Sequence, residues 1–346
     1  NRALHTMVYD AARDRGVFFG GSPSQHRYQN DTWELDQTTW SERCAIGPLA
    51  RSFHAMAFDS FRNRSILFGG GGSSGIFGDT WDWDGVQWTQ HLVTGPTPRN
   101  SHVMAYDSAR DRIVVFGGAD FGTFFNETWE WDGSSWTQMV IGGAIPDPRV
   151  AAAMAYNPMR GRVILFGGAS FQPSNNYLGD TWEWDGSSWT QLAMSGASPT
   201  PRYAHRMAFD SELSRIVLFG GFDGSILSDT WEWDGTTWVK RTVIGPTARA
   251  SHAMAYDVAR ARIVLYGGDT AFGTFLNDTW EYHGVRLGDM NSDGNVNGLD
   301  IALFVRDLLA NSMDPVDLYL SDFDSNAMLD EGDLSGFVST LLADPS

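Results

Sequence analysis

The chain contains a single cysteine, Cys44, among its 346 residues, so an intrachain disulfide and a cysteine-based metal site are both excluded. It also lacks any apolar run near the roughly 20 residues that a membrane-spanning helix needs. The 24 basic residues are outnumbered by 42 acidic ones. The resulting net charge of −18 argues against nucleic acid or an anionic membrane as the partner. The first residue is Asn1 rather than Met, so we expect a processed or trimmed product.

Glycine and aromatic residues are abundant instead. There are 38 Gly and 15 Trp, and aromatics make up 13% of the chain. This composition is typical of an all-β protein with many short strands and tight turns, whereas a disordered chain would lack the aromatics.

Internal repetition organises most of the chain. A Gly-Gly pair recurs six times, at 20–21, 69–70, 117–118, 167–168, 220–221 and 267–268. A Thr-Trp pair recurs with it, at 32–33, 80–81, 128–129, 181–182, 230–231 and 279–280. The period of about 49 residues indicates six copies of one structural unit.

Each unit carries four strand signals with turn residues between them. In the second copy these are the alternating 54–58, the apolar 65–68, the Trp-containing 80–84, and 86–89 after the Asp84-Gly85 hairpin signal. Four antiparallel strands form one blade, and six blades closed into a ring leave only short sheet edges. We therefore predict a six-bladed β-propeller.

The repeated residues resemble kelch repeats. The pattern is Arg-x-x-His-x-Met-Ala-Tyr-Asp, then Ile-Val-Leu-Phe-Gly-Gly, then Asp-Thr-Trp-Glu-Trp-Asp-Gly-x-x-Trp. The resemblance covers residues 1–287, with blades at about 1–48, 49–96, 97–146, 147–199, 200–246 and 247–287. It implies a protein-interaction module, since only a minority of kelch propellers are enzymes, such as the copper oxidase of galactose.

The segment 288–346 is different in composition, with eleven Asp and one Glu against the single Arg306. Its first half fits an EF-hand-type calcium loop, with oxygen-bearing side chains at positions 1, 3, 5, 9 and 12 and Gly294 at position 6. We expect the ligands of this first loop to be Asp289, Asn291, Asp293, Asn295, Asn297 and Asp300. A helical pattern follows at 301–309, as such a loop requires.

A second loop repeats the spacing, with Ala327 in the place of the usual glycine. Its expected ligands are Asp322, Asp324, Asn326, Met328, Asp330 and Asp333. Two such loop–helix units resemble a dockerin domain, which implies Ca²⁺ binding and, in that family, docking onto a partner such as a cohesin. The partner-contacting loop positions of the family, often Ser-Thr, are here Gly298-Leu299 and Glu331-Gly332, so cohesin recognition does not carry over.

Two sets of polar residues recur with the repeat, and each has two interpretations. A ring of histidines, His5, His54, His102, His205 and His252, could bind metal in the channel or serve packing, and Ala152 in the fourth blade favours packing. Six arginines (Arg2, Arg51, Arg99, Arg149, Arg202 and Arg249) precede the first strands, and an acid precedes each Thr-Trp. Pairing of each arginine with an acid at one rim is favoured over an open anion site.

Specific recognition is expected where the blades differ, in the loops between Gly-Gly and Thr-Trp. The aromatics in these loops are Tyr28, Phe121, Phe124, Phe125, Phe171, Tyr177, Phe222, Phe272 and Phe275. Clustered on one face, they would form an apolar patch that marks a partner-binding site. The repeated tryptophans are expected to pack between blades rather than to stack on sugars.

No catalytic residues are predicted, because no carboxylate pair stands apart from the repeat and no tyrosine is paired with Cys44. We expect a secreted, extracellular, non-catalytic calcium-binding scaffold that binds protein. Its own copies are one candidate partner, because the sixth blade lacks the last Trp and its edge could be covered by a tail or a neighbouring chain. If the acidic tail docks on the next copy, a head-to-tail contact that does not close would generate a filament. A carbohydrate-binding propeller is the first alternative, and a kelch-type oxidase is the second.

Overall fold

The computed structural model describes residues 1–24, 27–171, 176–242, 245–271, 274–284, 300–310, 320–323, 329–330 and 332–343. The chain divides into two compact units, Asn1–Arg241 with Gly245–Glu281, and Thr242–Ile244 with Tyr282–Ser346. In the residues that the structure describes, the first unit is built from strands and the helices lie in the second.

Antiparallel sheets form the first unit, one for each repeat. Five sheets have four strands each: β1 (Thr6–Asp10), β2 (Arg15–Phe19), β3 (Thr32–Asp36) and β4 (Thr39–Arg43); β5 (Ala55–Asp59), β6 (Arg64–Phe68), β9 (Thr80–Trp83) and β10 (Trp88–His91); β11 (Val103–Asp107), β12 (Arg112–Phe116), β13 (Thr128–Trp131) and β14 (Trp136–Gln138); β15 (Ala153–Asn157), β16 (Arg162–Ser170), β17 (Asn176–Trp184) and β18 (Trp189–Leu192); β19 (Arg206–Asp210), β20 (Arg215–Phe219), β21 (Thr230–Trp233) and β22 (Trp238–Arg241).

The sixth sheet has three strands in the described residues, β23 (Ala253–Asp257), β24 (Arg262–Tyr266) and β27 (Thr279–Tyr282). The repeat of four strands per blade predicts a weak fourth strand at 285–287, which lies outside the described residues. Two small ribbons lie in loops: β7 (Gly71–Gly72) with β8 (Gly75–Ile76), and β25 (Asp269–Ala271) with β26 (Thr274–Phe275). The first strands of neighbouring sheets contact one another in a closed cycle, so they line the axis of a six-bladed propeller.

The core lies between the blades, where aromatic and aliphatic side chains of adjacent sheets interdigitate. Trp83 of the second blade is fully buried, and its indole N–H donates to Glu34 Oε1 of the first blade at 3.0 Å. The last-strand tryptophans reach back one blade in the same way, as Trp136 Nε1 does to Thr80 Oγ1 at 2.9 Å. The prediction that the tryptophans pack between blades is confirmed.

Ring closure, which the sequence does not reveal, uses the same contacts as the other blade junctions. Trp40 of the first blade donates to Thr279 Oγ1 of the sixth blade at 3.2 Å, and Met7 packs on Ala253 and Val264. An ion pair between Arg260 and Asp14, at 2.7 Å, adds to this junction. The end blades therefore join by side chains that the repeat already supplies.

Two helices are described in the second unit, α1 (Ile301–Ala310) and α2 (Asp333–Ala343). Phe304 of α1 and Phe337 of α2 are buried, and their rings stack with centroids 3.9 Å apart. Leu329 and Phe323 complete this small core. No helix among the described residues is both long and apolar enough to cross a membrane.

Candidate functional site

One rim of the propeller carries the six repeated arginines, and each is paired. Arg51 is fully buried, and its guanidinium donates to both carboxylate oxygens of Asp79 at 2.6 and 2.8 Å. The same group donates to the carbonyl of Gly69 at 2.9 Å and lies over the Phe77 ring. The equivalent pairs are Arg2–Asp31, Arg99–Glu127, Arg149–Asp180, Arg202–Asp229 and Arg249–Asp278.

These rim pairs fix the charge state of their acids. Burial raises the pKa of Asp79, but hydrogen bonds from Arg51 and from the Trp81 indole outweigh it, and the pKa is lowered. Asp31, Glu127, Asp180 and Asp229 show the same balance and the same direction. The prediction of paired arginines is confirmed, so these side chains form no open anion site.

The histidine ring lies behind this rim. His5, His54, His102, His205 and His252 are buried, and each ring meets a phenylalanine edge to face, as His102 meets Phe68 at 5.3 Å. In the described structure neither ring nitrogen of these five residues has a hydrogen-bond partner. For His54, His102 and His205, burial outweighs the opposing effect of the facing phenylalanine's backbone on the pKa.

Burial consequently lowers the pKa of every histidine in this ring, and that of His102 to about 3. Metal binding would need imidazoles that converge on one point. Among the described residues, no three His, Cys, Asp or Glu side chains lie close enough together to hold a metal ion. The five imidazoles instead pack edge to face on phenylalanine rings, the arrangement that the sequence favours.

A closed belt of backbone hydrogen bonds surrounds the channel next to the histidines. The N–H of Leu4 donates to the Ser251 carbonyl at 2.9 Å, and the N–H of Phe53 donates to the Leu4 carbonyl at 3.0 Å. The belt continues through Ser101, Ala151 and Ala204, and the Ser251 N–H closes it. All six residues have φ between 51° and 62°, a left-handed conformation that costs about 1 kcal/mol or more per residue and is held by these bonds.

The aromatic residues predicted to bind a partner lie on the loops at the same rim, but they do not form one continuous set. Phe121 is 88% exposed at a loop tip, and Phe124 packs on Phe171 of the next blade with ring centroids 5.5 Å apart. Tyr177 packs on Phe222 of the fifth blade at 5.9 Å. The exposed aromatics thus concentrate on blades three to five.

The other predicted aromatics are placed differently. The Phe125 ring lies 4.2 Å from the Arg99 guanidinium, so it covers a rim pair. Tyr28 and Phe275 are half-buried on the first and sixth blades, and Phe272 lies outside the described residues.

Sequence reasoning missed one member of this cluster. Tyr203, just before the fifth inner strand, packs on Tyr177 at 5.3 Å and on Phe222 at 5.5 Å. The other blades have Ala3, Ser52, Asn100, Val150 and Ala250 at this position. A comparison of the repeats position by position would have revealed it. We define the aromatic loop face as Phe121, Phe124, Phe171, Tyr177, Tyr203 and Phe222.

Four of the twelve predicted calcium ligands can be located, all in the second unit. Asp300 and Asp333 are fully buried where α1 and α2 begin, and Asp322 and Asp330 are half-buried. Asp333 accepts the Phe323 N–H at 2.6 Å and the Asp330 N–H at 2.9 Å, which holds the two ends of the second loop together. The other eight, Asp289, Asn291, Asp293, Asn295, Asn297, Asp324, Asn326 and Met328, lie outside the described residues.

Comparison with known proteins agrees with the propeller geometry. The KLHDC2/KLHL20/DRC7 Kelch-repeats domain matches residues 1–132 and 81–243, and the chain therefore belongs to the kelch-repeat family. Among solved structures, "Structure of YjhT" superposes with a TM-score of 0.63 at 18% identity, covering 80% of this chain and 93% of that one. This likeness shows the shared fold. A search of curated proteins gave no match.

Proposed function

We propose that this protein is a non-catalytic interaction scaffold whose propeller binds a protein partner through the aromatic loop face. Kelch propellers generally mediate protein interactions, which supports this class of function. The observation that carries the proposal is the cluster of exposed and half-buried aromatic rings on neighbouring loops of blades three to five. Exposed aromatic side chains on loops are typical anchors of protein interfaces.

The charges around this face are internally satisfied, which favours a partner that contributes apolar surface. The rim acids are held by rim arginines, and Arg99 is also covered by Phe125. Desolvating such pairs against a highly charged partner would bring little net gain. Apolar burial on Phe121, Phe171 and Tyr177 is the larger available contribution.

A site-specific photo-crosslinker tests this proposal in extracts of the native source. Placed at Phe121, it should give crosslinks to one or a few proteins, one of which could be a second copy of this chain. The matched control is Val86, which is 80% exposed in the hairpin at the other end of its blade. Equal crosslinking from both positions, or none from Phe121, would contradict the proposal.

We further propose that the second unit binds Ca²⁺, and this rests on the buried carboxylates that precede or begin its helices. Asp300 and Asp333 stand at the twelfth position of the two loops, where an EF-hand-type loop supplies a calcium ligand. Modest affinity suits an extracellular protein, since extracellular calcium modules bind at about 0.1–1 mM.

Calorimetric titration of the full chain with Ca²⁺ should show two sites, and D333N should abolish one of them. D36N, which changes an exposed acid of the propeller, should leave both sites intact. Absence of heat in the wild type would refute the calcium proposal without affecting the aromatic loop face. Self-association belongs to the same proposal, and sedimentation that is unchanged by a chelator would rule out the calcium-binding unit as the connector.

A further inference from the structure

The propeller channel contains a cavity of about 180 Å³. All six blades line it through the beginning of their inner strands and through the residues of the backbone belt. The volume corresponds to about six water molecules at roughly 30 Å³ each. It can therefore hold a small molecule.

One blade breaks the symmetry of this lining. The first residue of the inner strand is uncharged in five blades: Thr6, Ala55, Val103, Ala153 and Ala253. In the fifth blade it is Arg206, which also lines the cavity. The repeat therefore does not require an arginine here, unlike the arginines of the rim.

Arg206 has no counter-charge in the described structure. Its one described side-chain hydrogen bond runs from Nη1 to the His205 carbonyl at 3.1 Å. The rim acid of the same blade, Asp229, is bound to Arg202. Most of the five guanidinium donors therefore have no protein acceptor among the described residues.

The positive charge of Arg206 affects the pKa values of residues in other blades. Enclosure by the channel walls lowers the pKa of Arg206 to about 10, so it stays protonated at neutral pH, while part of its surface remains open to the cavity. Its positive charge adds to burial in lowering the pKa of His5, His54 and His252, which belong to three other blades. A negative group in the cavity would pair with this half-buried guanidinium, which has no acidic partner among the described residues.

A ring of six methionines lines the cavity beside Arg206: Met7, Met56, Met104, Met154, Met207 and Met254. Thioether side chains adapt to apolar ligands of varied shape. A guanidinium matches the two oxygens of a carboxylate through parallel hydrogen bonds. A second negative charge on the ligand would meet no second cation among the lining residues, which favours a monoanion.

We propose that the channel cavity binds a small organic monocarboxylate, with its carboxylate on Arg206 and its carbon chain against the methionine ring. This site adjoins the aromatic loop face through Tyr203, which lines the cavity, and it uses none of the proposed calcium ligands. The ligand has about six non-hydrogen atoms, given the volume of about six waters.

Calorimetric titration of the full chain with butyrate, its neutral isostere butyramide, and sulfate tests the proposal. We expect saturable butyrate binding, at least about tenfold weaker binding of butyramide and sulfate, and a loss of about tenfold or more in R206A. R206A is expected to fold, because Ala55, Ala153 and Ala253 occupy this position in other blades. R206K keeps the positive charge but lacks the planar guanidinium that donates two parallel hydrogen bonds, so it should bind butyrate with intermediate affinity.

R64A is the control, because Arg64 is 41% exposed and lies outside the cavity lining. It should bind butyrate as the wild type does. The proposal is overturned if the wild type binds no probe, if R206A binds butyrate equally well, or if sulfate binds more tightly than butyrate.

Discussion

The five buried histidines should make the propeller sensitive to mild acid. Each imidazole is neutral in the folded protein, because burial lowers its pKa well below the ordinary value of about 6.5. The unfolded chain binds a proton at each of these histidines below about pH 6.5, whereas the folded chain does not. Stability is therefore present above pH 6.5 and is lost as the pH falls.

The size of the effect follows from proton linkage. Between pH 7.5 and 5.5, one histidine that stays neutral in the folded state lowers the free energy of unfolding by about 1.4 kcal/mol. Five independent histidines therefore lower it by about 7 kcal/mol, which is comparable with the whole stability of many domains. This figure requires only that the folded pKa values lie well below 5.5, and that of His102 is about 3.

Urea unfolding at the two pH values, followed by tryptophan fluorescence, measures this loss. All 15 tryptophans lie between Trp33 and Trp280, so the signal reports the propeller. H205A should reduce the loss by about one fifth, to about 5.5 kcal/mol, because one linked proton is removed. Alanine is already tolerated at this position in the fourth blade, as Ala152.

F166L is the matched control, because Phe166 packs on His205 but carries no proton. It should lower stability equally at both pH values and leave the loss at about 7 kcal/mol. A wild-type loss below about 2 kcal/mol, or an unchanged loss in H205A, would refute the assignment of neutral buried imidazoles.

Three further predictions concern the rim and the channel. D79N should cost about 3 kcal/mol by urea unfolding, because it leaves the buried Arg51 without its charge partner, whereas D36N on the exposed Arg15–Asp36 pair should cost under about 1 kcal/mol. G69A should lower the free energy of unfolding by about 2 kcal/mol or more, since Gly69 has φ 66° and an added Cβ would lie 2.6 Å from the Arg99 carbonyl oxygen. The control G122A should change it by less than about 0.5 kcal/mol, because an added Cβ there would have nothing within 4 Å. R206A should raise the melting temperature in ligand-free buffer, because it removes a desolvated charge that has no acidic partner among the described residues; a lower melting temperature would count against that assignment.

The features that were predicted correctly from the sequence are those that recur in all six repeats. The rim pair is an example, because an arginine before the inner strand and an acid before Thr-Trp recur at fixed distances, and antiparallel pairing brings both to one rim. The inter-blade tryptophans follow from the same regularity. A pattern that recurs in every blade must be satisfied within the blade or at its junction, so its partners can be inferred without coordinates.

The features that were missed depend on departures from the repeat or on three-dimensional closure. Arg206 and Tyr203 occupy positions whose equivalents are mostly small or uncharged, so a consensus of the blades hides them. The contact between Trp40 and Thr279 that closes the ring joins residues 239 positions apart. No local sequence signal distinguishes it from the equivalent tryptophan–threonine contacts between consecutive blades. The residues that recur in every blade pair with one another and hold the blades together. The residues that differ between blades are therefore the ones available to recognise a ligand. The two departures lie where this reasoning predicts, one in the channel cavity and the other in the aromatic loop face.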